Sequence, residues 1–544
     1  MAIETGSYYD GSRSLTWLSE LVGLPIDLVN FITSQLLALF LASFLRTTLH
    51  SSKASAAVRH AFGLSLGLFF GYFCFGSHAF HIAGLPALSY IIIRTQNPNI
   101  VQRLVLGAAL LYLSFVHMHR QYYDYGSYTL DITGPLMVIT QKVTSLAFSI
   151  HDGLARDQKD LTKDQNYHAV RRIPTALEFF SYTFHFQGLM AGPVVFYRDY
   201  IDFIDGNHVL KFTPKSTASL DNNSNSRKVV LEPSPIIIVF KKVIVSTICA
   251  LIFIKFFPLF PIKALKEDEF IVDMNIFQKM VYVIMSTTLV RFKYYHAWIL
   301  ADAICNNSGL GFNGYDENNN PKWDGISNIN ILKFEFGTSF RESIANWNMG
   351  TNKWLRMVVY DRVSKHGTAL TYLLSAFWHG FYPGYYLTFA TGALFTIAAR
   401  NMRRCFRPLF INDKRSRIFY DILTCLVTRV FMAYATFTFV LLEFWAGVRV
   451  YLHLYLSFHI LGLLALVIVP MIQPHIHRLF GLKSSLKVSS RRSDNQTNDK
   501  GAITGRIESF NDESKTKKLY AEFSKGIVTS DVLLNNVIDS VKTN

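Results

Sequence analysis

The feature that most constrains this chain is its succession of long apolar runs, several near the roughly 20 residues a helix needs to cross a bilayer. Leu24–Leu45, Ala56–Phe75, Ile236–Phe257, Met274–Val290, Ala369–Phe389, Leu423–Ala446 and Val450–Ile472 are of this kind. Shorter runs at Ile82–Ile93, Gly134–Phe148 and Phe179–Val195 fit short, tilted or re-entrant segments. Half of the 544 residues are hydrophobic and only 17% are charged, against about a quarter in a soluble protein. The pattern predicts an all-α polytopic membrane protein of about 11 spans.

Charge orients this bundle. The net charge is +16, which in a membrane protein reflects cytosolic loops and anionic lipid. No basic stripe stands clear of the apolar spans, which argues against nucleic-acid binding. Arg46, Lys53 and Arg59 place the first loop in the cytosol, and Arg478, Lys483, Lys487, Arg491 and Arg492 do the same for the C-terminal side. The opening "MAIETGSYYDGSRS" lacks the pattern of a cleaved signal peptide, so the first span is expected to be an uncleaved anchor with a luminal N-terminus. The expected organisation is a short polar N-terminus (1–20), one membrane domain (21–480) and a polar, disordered cytosolic tail (481–544). Within the tail "DVLLNNVIDSV" fits a short helix, and the polar insertion Gly206–Ser234 reads as a flexible loop with an unused Asn222 sequon. The five cysteines are scattered and imply no disulfide framework.

The stretch "SAFWHGFYPGYYLTF" places His379 inside an apolar run, followed by Gly380 and by Pro383-Gly384. An ionisable side chain at membrane depth is expensive and usually faces a cavity or pathway. Non-helical backbone at that depth must be buried in protein or line a cavity, and glycine and proline supply such a break. A histidine satisfied by hydrogen bonds within a bundle is the plainer reading. The sharper one is a general base, since histidine takes and returns protons near neutrality. Acyl transfer to an alcohol needs such a base and a site poor in water; proton translocation would use the same residue.

Upstream, "ESIANWNMGTNKWLRMVVYDRV" reads as one interfacial helix carrying Asn348 and Asn352 on one face. Asn348 is either a helix-solvating residue or an amide that supports developing negative charge. Lys353, Arg356, Arg362 and Lys365 are candidates for a polyanionic ligand or plain membrane-surface charges. Trp354 and Tyr360 read as packing residues, Trp378 and Tyr382 as possible walls of an acyl tunnel, and Asp324 in "WDG" as a cap.

Together these stretches resemble the membrane-bound O-acyltransferases. Besides "SAFWHGFYPGYYLTF" and "NWNMGTNKWLRMVVYDR", the resemblance rests on "DITGPLMVITQKVTSLAFSIHDG" (131–153), "FQGLMAGPVVFYRDYIDFIDG" (186–206), "WDGISNINILKFEFGTSF" (323–340) and "GALFTIAARNMRRCFRPLF" (392–410). It covers most of residues 130–470 and is nearest the lysophospholipid branch, whose members acylate lysophosphatidylethanolamine and lysophosphatidylserine. Asn348 follows "AN" and a single Trp rather than the "DWWN" of the sterol and diacylglycerol branch, which counts against neutral lipid acceptors. The resemblance implies a multi-helix fold around a reaction chamber, and His379 and Asn348 as the catalytic pair. It further implies acyl-CoA as co-substrate, a lysophospholipid acceptor (ethanolamine, serine or choline type), no bound cofactor, and residence in the endoplasmic reticulum.

The histidine pairs 78/81, 117/119 and 475/477 lack accompanying ligands at metal spacing, and no metal is expected. Two alternatives remain at this level. One is a protein O-acyltransferase of the same fold; the other is a proton-coupled transporter relaying through His379, which inverted repeats or acidic residues within spans would favour.

Overall fold

A computed structural model describes residues 9–127, 129–212 and 232–480. The expected tail, its short helix, the Asn222 sequon and most of the 206–234 insertion lie outside the described residues. The longer helices in chain order are α1 (Ile26–Thr47), α2 (Ala56–Phe75), α3 (Ala79–Thr95), α4 (Val101–Tyr123), α5 (Thr133–Leu154), α6 (Ala176–Phe184), α7 (Tyr197–Ile204), α8 (Ile236–Phe256) and α9 (Ile276–Asn307). They continue as α10 (Phe340–Ala345), α11 (Met349–Val358), α12 (Gly367–His379), α13 (Pro383–Phe410), α14 (Lys414–Leu441), α15 (Phe444–His453) and α16 (Ser457–Leu479). The chain is helical as expected; an isolated bridge between Tyr315 and Pro321 is the β-type pairing among the described residues.

Among the described residues, six segments are long and apolar enough to cross a membrane: Ile26–Thr47, Ala56–Thr95, Val101–Tyr123, Ile236–Lys266, Lys414–Leu441 and Ser457–Leu479. Helices α5, α9 and α13, with 22, 32 and 28 residues, have the length of a span but a more polar sequence. In a bilayer every backbone group must be paired, which helices achieve internally.

Several expected boundaries move, each for a local reason. The run Ala369–Phe389 divides into α12 and α13. Gly380 ends α12 at φ 111° and ψ −163°, a region open essentially to glycine alone, and Pro383 sits at the first position of α13, where its missing N–H leaves no helix bond unmade. Leu423–Ala446 ends at Leu441, with Leu442 at φ 69°. Val450–Ile472 is interrupted between α15 and α16, where Tyr455 and Leu456 have positive φ. The single helix expected over "ESIANWNMGTNKWLRMVVYDRV" is broken as well: α10 ends at Ala345 and α11 starts at Met349, with Asn348 left-handed at φ 46° between them.

Helix direction defines two ends. At one, Asp27 of α1 accepts a hydrogen bond from the Leu130 N–H in the α4–α5 loop (2.9 Å), and Lys266 pairs with Glu443 beyond α14. At the other, Asp152 near the end of α5 binds Arg362 beyond α11 through two bonds of 2.9 and 2.6 Å. Helix α13 runs from the Asp27 end to the Asp152 end. Its far turns and the start of α14 carry Arg400, Arg403, Arg404, Arg407, Lys414, Arg415 and Arg417.

Candidate active site

Helix α5 is the scaffold of the site. Every residue from Ile139 to Ile150 is buried, polar ones included. Met137, Gln141 and Thr144 are spaced four and three apart and so share a face. The Met137 carbonyl accepts from Trp378 Nε1 (3.0 Å). Gln141 Nε2 donates to Thr351 Oγ1 (2.7 Å), and Thr144 Oγ1 accepts from Trp354 Nε1 (2.9 Å) while donating to the Thr140 carbonyl (2.6 Å). The Trp354 and Trp378 rings meet with centroids 5.7 Å apart. One helix face thus fixes both motifs, the one carrying Asn348 and the one carrying His379, at levels about 6 Å apart along its axis.

Asn348 sits at the N-cap position of α11 without making a cap bond. Its Oδ1 accepts from Thr351 Oγ1 (2.8 Å), and Thr351 in turn accepts from Gln141. This relay orients the amide through Oδ1, and Nδ2 makes no hydrogen bond to a described residue. Asparagine tolerates the left-handed conformation better than most residues. Asn352 secures the turn: its Nδ2 donates to the carbonyls of Ile344 and Trp347, both at 2.8 Å. Asn352 therefore faces back across the break and does not share a helical face with Asn348, contrary to the expectation of one continuous helix.

His379 is the last residue of α12. Its ring is boxed by Trp378, Phe389, Phe439 and Tyr385, at centroid separations of 4.6, 5.3, 5.0 and 5.8 Å. Even so, the residue keeps part of its surface accessible, and neither ring nitrogen is hydrogen-bonded to a described residue.

His117 of α4 Nε2 donates to the Trp378 carbonyl (3.1 Å), one of the carbonyls a helix end leaves without an internal partner. A Cβ on Gly380 would come within 3.0 Å of the His117 ring. His117 and Gly380 thereby fix the turn on which His379 sits. At the start of α13, Gly384 N–H donates to the Leu442 carbonyl (2.8 Å), and a Cβ there would reach 2.1 Å from the Thr438 carbonyl.

The remaining sequence candidates fall elsewhere. Trp378 is buried and committed to Met137. Tyr382 faces the Asp27 end, where its hydroxyl accepts from Gly126 N–H (3.0 Å). Arg362 is held by Asp152 and stacks on Phe148 at 4.6 Å. Arg356 is exposed and pairs with Asp361 (3.2 Å), and Lys353 is exposed. Asp324 caps no helix: its Oδ1 accepts from Asn313 Nδ2 (2.9 Å), and the next helix is capped by Asn330. Gln141, Thr144, Thr351 and His117 were not singled out as site residues, although the polar spacing within "MVITQKVT" marks the α5 face.

The sequence model of the MBOAT, membrane-bound O-acyltransferase family matches residues 119–444. The chain belongs to that family, and is an acyltransferase. It is 58% identical over 502 residues to "Lysophospholipid acyltransferase 6" of Drosophila melanogaster, covering 92% of this chain and 69% of the relative. It is 43% identical over 464 residues to "Membrane-bound glycerophospholipid O-acyltransferase 2" of Homo sapiens (85% and 88%). To "Lysophospholipid acyltransferase" of Schizosaccharomyces pombe it is 32% identical over 428 residues (76% and 81%).

Proposed function

We propose that this protein transfers a fatty acyl chain from acyl-CoA to the free hydroxyl of a lysophospholipid. The observation that carries the reading is the shared scaffold: one face of α5 anchors Trp378, beside His379, through Met137 and Thr351, which holds the Asn348 amide, through Gln141. The names of the relatives support the lysophospholipid as acceptor.

In this reaction His379, neutral, accepts the proton of the glycerol hydroxyl as that oxygen attacks the thioester carbonyl. Asn348 Nδ2 donates to the oxyanion that develops. The C–S bond then breaks, and the proton held by His379 passes to the departing thiolate, releasing CoA-SH. A base is needed because an alcohol is a poor nucleophile at neutral pH. The aromatic box excludes water, the competing acceptor. Both substrates occupy the chamber together, so no acyl-enzyme forms.

The CoA phosphates lie at the Asp152 end, near Lys353 and Arg356, with Arg362 as an anchor of that stretch. The basic residues of the α13–α14 connection support a cytosolic location for this end, where α16 also finishes. An endoplasmic reticulum membrane suits a lipid-remodelling enzyme supplied with cytosolic acyl-CoA. The test is CoA release by purified protein given acyl-CoA and a panel of lysophospholipids. His379→Ala should abolish transfer while leaving expression and thermal stability intact; retained turnover would remove the assignment.

A further inference from the structure

A pocket of about 170 Å³ opens at the Asp27 end of the bundle, lined by Tyr125, Lys263, Lys266, Leu441, Leu442 and Glu443. Its walls are built rather than loose. Arg120 holds the α4–α5 loop by an ion pair to Asp131 (2.8 Å) and by bonds to the carbonyls of Ser127 (3.2 Å) and Thr129 (2.9 Å). Lys266 and Glu443 are joined as an ion pair at the pocket wall, each part-exposed.

A run of packed rings lies between the pocket and the histidine. Gly126, which also lines it, is bonded to Tyr382, three residues beyond His379. From Tyr125 the rings run on through Tyr382 (5.2 Å), Tyr385 (5.7 Å) and Phe439 (4.5 Å) to His379 (5.0 Å). On its other side, Leu442 is bonded to Gly384 at the start of α13.

We propose that this pocket receives the headgroup of the acceptor lysophospholipid, with the phosphate on Lys263 and Lys266 and the headgroup amine on Glu443. The inference rests on the lysophospholipid reading above and names the part of the protein that selects among such acceptors. Its size is right for a polar headgroup and too small for an acyl chain: a cavity of about 150 Å³ holds one benzene molecule. Its charges are right as well. A phosphodiester needs cationic partners, and a primary ammonium needs a carboxylate that accepts its N–H bonds. The quaternary ammonium of choline has no N–H to give. A headgroup seated here puts the glycerol against Tyr382, and the rings of Tyr382, Tyr385 and Phe439 must part for its hydroxyl to reach His379. Binding also requires the Lys266–Glu443 pair to part, each charge then meeting its opposite on the ligand, so no charge is left unpaired.

The experiment compares KM and kcat of the purified enzyme for lysophosphatidylethanolamine, lysophosphatidylcholine and lysophosphatidic acid at saturating acyl-CoA. Glu443→Gln should raise KM for the ethanolamine acceptor about tenfold with little change in kcat, the signature of lost uniform binding. It should lower KM for lysophosphatidic acid, which has no amine and so leaves Glu443 without a partner once Lys266 turns to the phosphate. Lys266→Gln should raise KM for all three. Soluble glycerophosphoethanolamine should compete with the lysolipid, and should do so less well against Glu443→Gln, which separates a headgroup site from a general effect of bilayer lipid. Should either single variant loosen the fold, the reversed pair Glu443→Lys with Lys266→Glu keeps the ion pair and should still lose the ethanolamine acceptor. KM values unchanged for every acceptor in these variants would overturn the inference while leaving the lysophospholipid reading in place. Absence of transfer by the unaltered enzyme to any lysolipid would remove that reading, and the headgroup site with it.

Discussion

Helices α5 and α8 are nearly equal in length, 22 and 21 residues, and they live in opposite surroundings. On α8 only Val239, Ser246 and Cys249 are buried, and Ile236, Ile237, Phe240 and Leu251 face outward. On α5 a lysine, a glutamine, threonines and serines are buried. In lipid the apolar helix has no reason to seek the centre, because the acyl chains are as apolar as leucine. Polar side chains have every reason, since only there can they find partners. The less apolar of the two helices is therefore the one that carries the site.

Four substitutions and one titration would break or sharpen that contrast. The largest effect is expected at Asn348, the residue held by the α5 relay. Asn348→Gly keeps the left-handed backbone, where alanine would add about 1–2 kcal/mol of strain, and deletes only the amide. Its kcat should fall by about 10²–10³ with an unchanged melting temperature; near-normal turnover would mean that the position matters for its backbone alone.

Next is Lys142, whose Nζ donates to the carbonyls of Tyr182 (3.4 Å) and Thr183 (3.1 Å) in the last turn of α6. An N–H donor there satisfies carbonyls that the helix end leaves without an internal partner. Lys142→Met should lower stability by about 1–3 kcal/mol, read by thermal inactivation in one detergent. No shift would show that these two hydrogen bonds are dispensable.

Gln141→Leu leaves Thr351 without its donor and Asn348 less well oriented. A drop in kcat of about tenfold with KM unchanged is expected, as for a positioning residue. A rise in KM alone would contradict the relay.

Outside the spans, Glu178 at the start of α6 is bound by Arg172 through bonds of 2.8 and 2.5 Å, and this pairing lowers its pKa from 4.5 to about 2. Because the folded value is depressed, the pair stabilises the protein above about pH 4.5 and that contribution is lost as the pH falls toward 2. Arg172→Gln should flatten the acid limb of a stability–pH curve, and an identical limb would count against the pair.

The smallest effect belongs to α8. Ile237 is 72% exposed, and Ile237→Ala should change stability by no more than about 0.5 kcal/mol. A larger loss would mean that something other than lipid covers that face.

Much of this was legible in the chain itself. The apolar runs of α1, α2 and α8 announced a membrane protein. The ionisable ring followed by Gly380 and Pro383 announced a helix end at depth, because those residues are limited in the backbone they allow. The break before Asn348 was not legible. "ESIANWNMGTNKW" has no proline or glycine at the break, and it is opened by the left-handed torsion of Asn348 and the grip of Asn352 on two carbonyls. Nor could spacing place His117 against Trp378, 261 residues away, or bring Lys266 to Glu443.

The sequence by itself determined the medium and the helical class, since these follow from composition and run length, and it singled out His379 and Asn348 as candidates through a family resemblance. Tertiary structure alone decided which helix occupies the middle, which way the Asn348 amide points, and that Lys263, Lys266 and Glu443 line one pocket. Those depend on hydrogen bonds between residues far apart in the chain, and such a bond leaves no local trace in either partner's sequence.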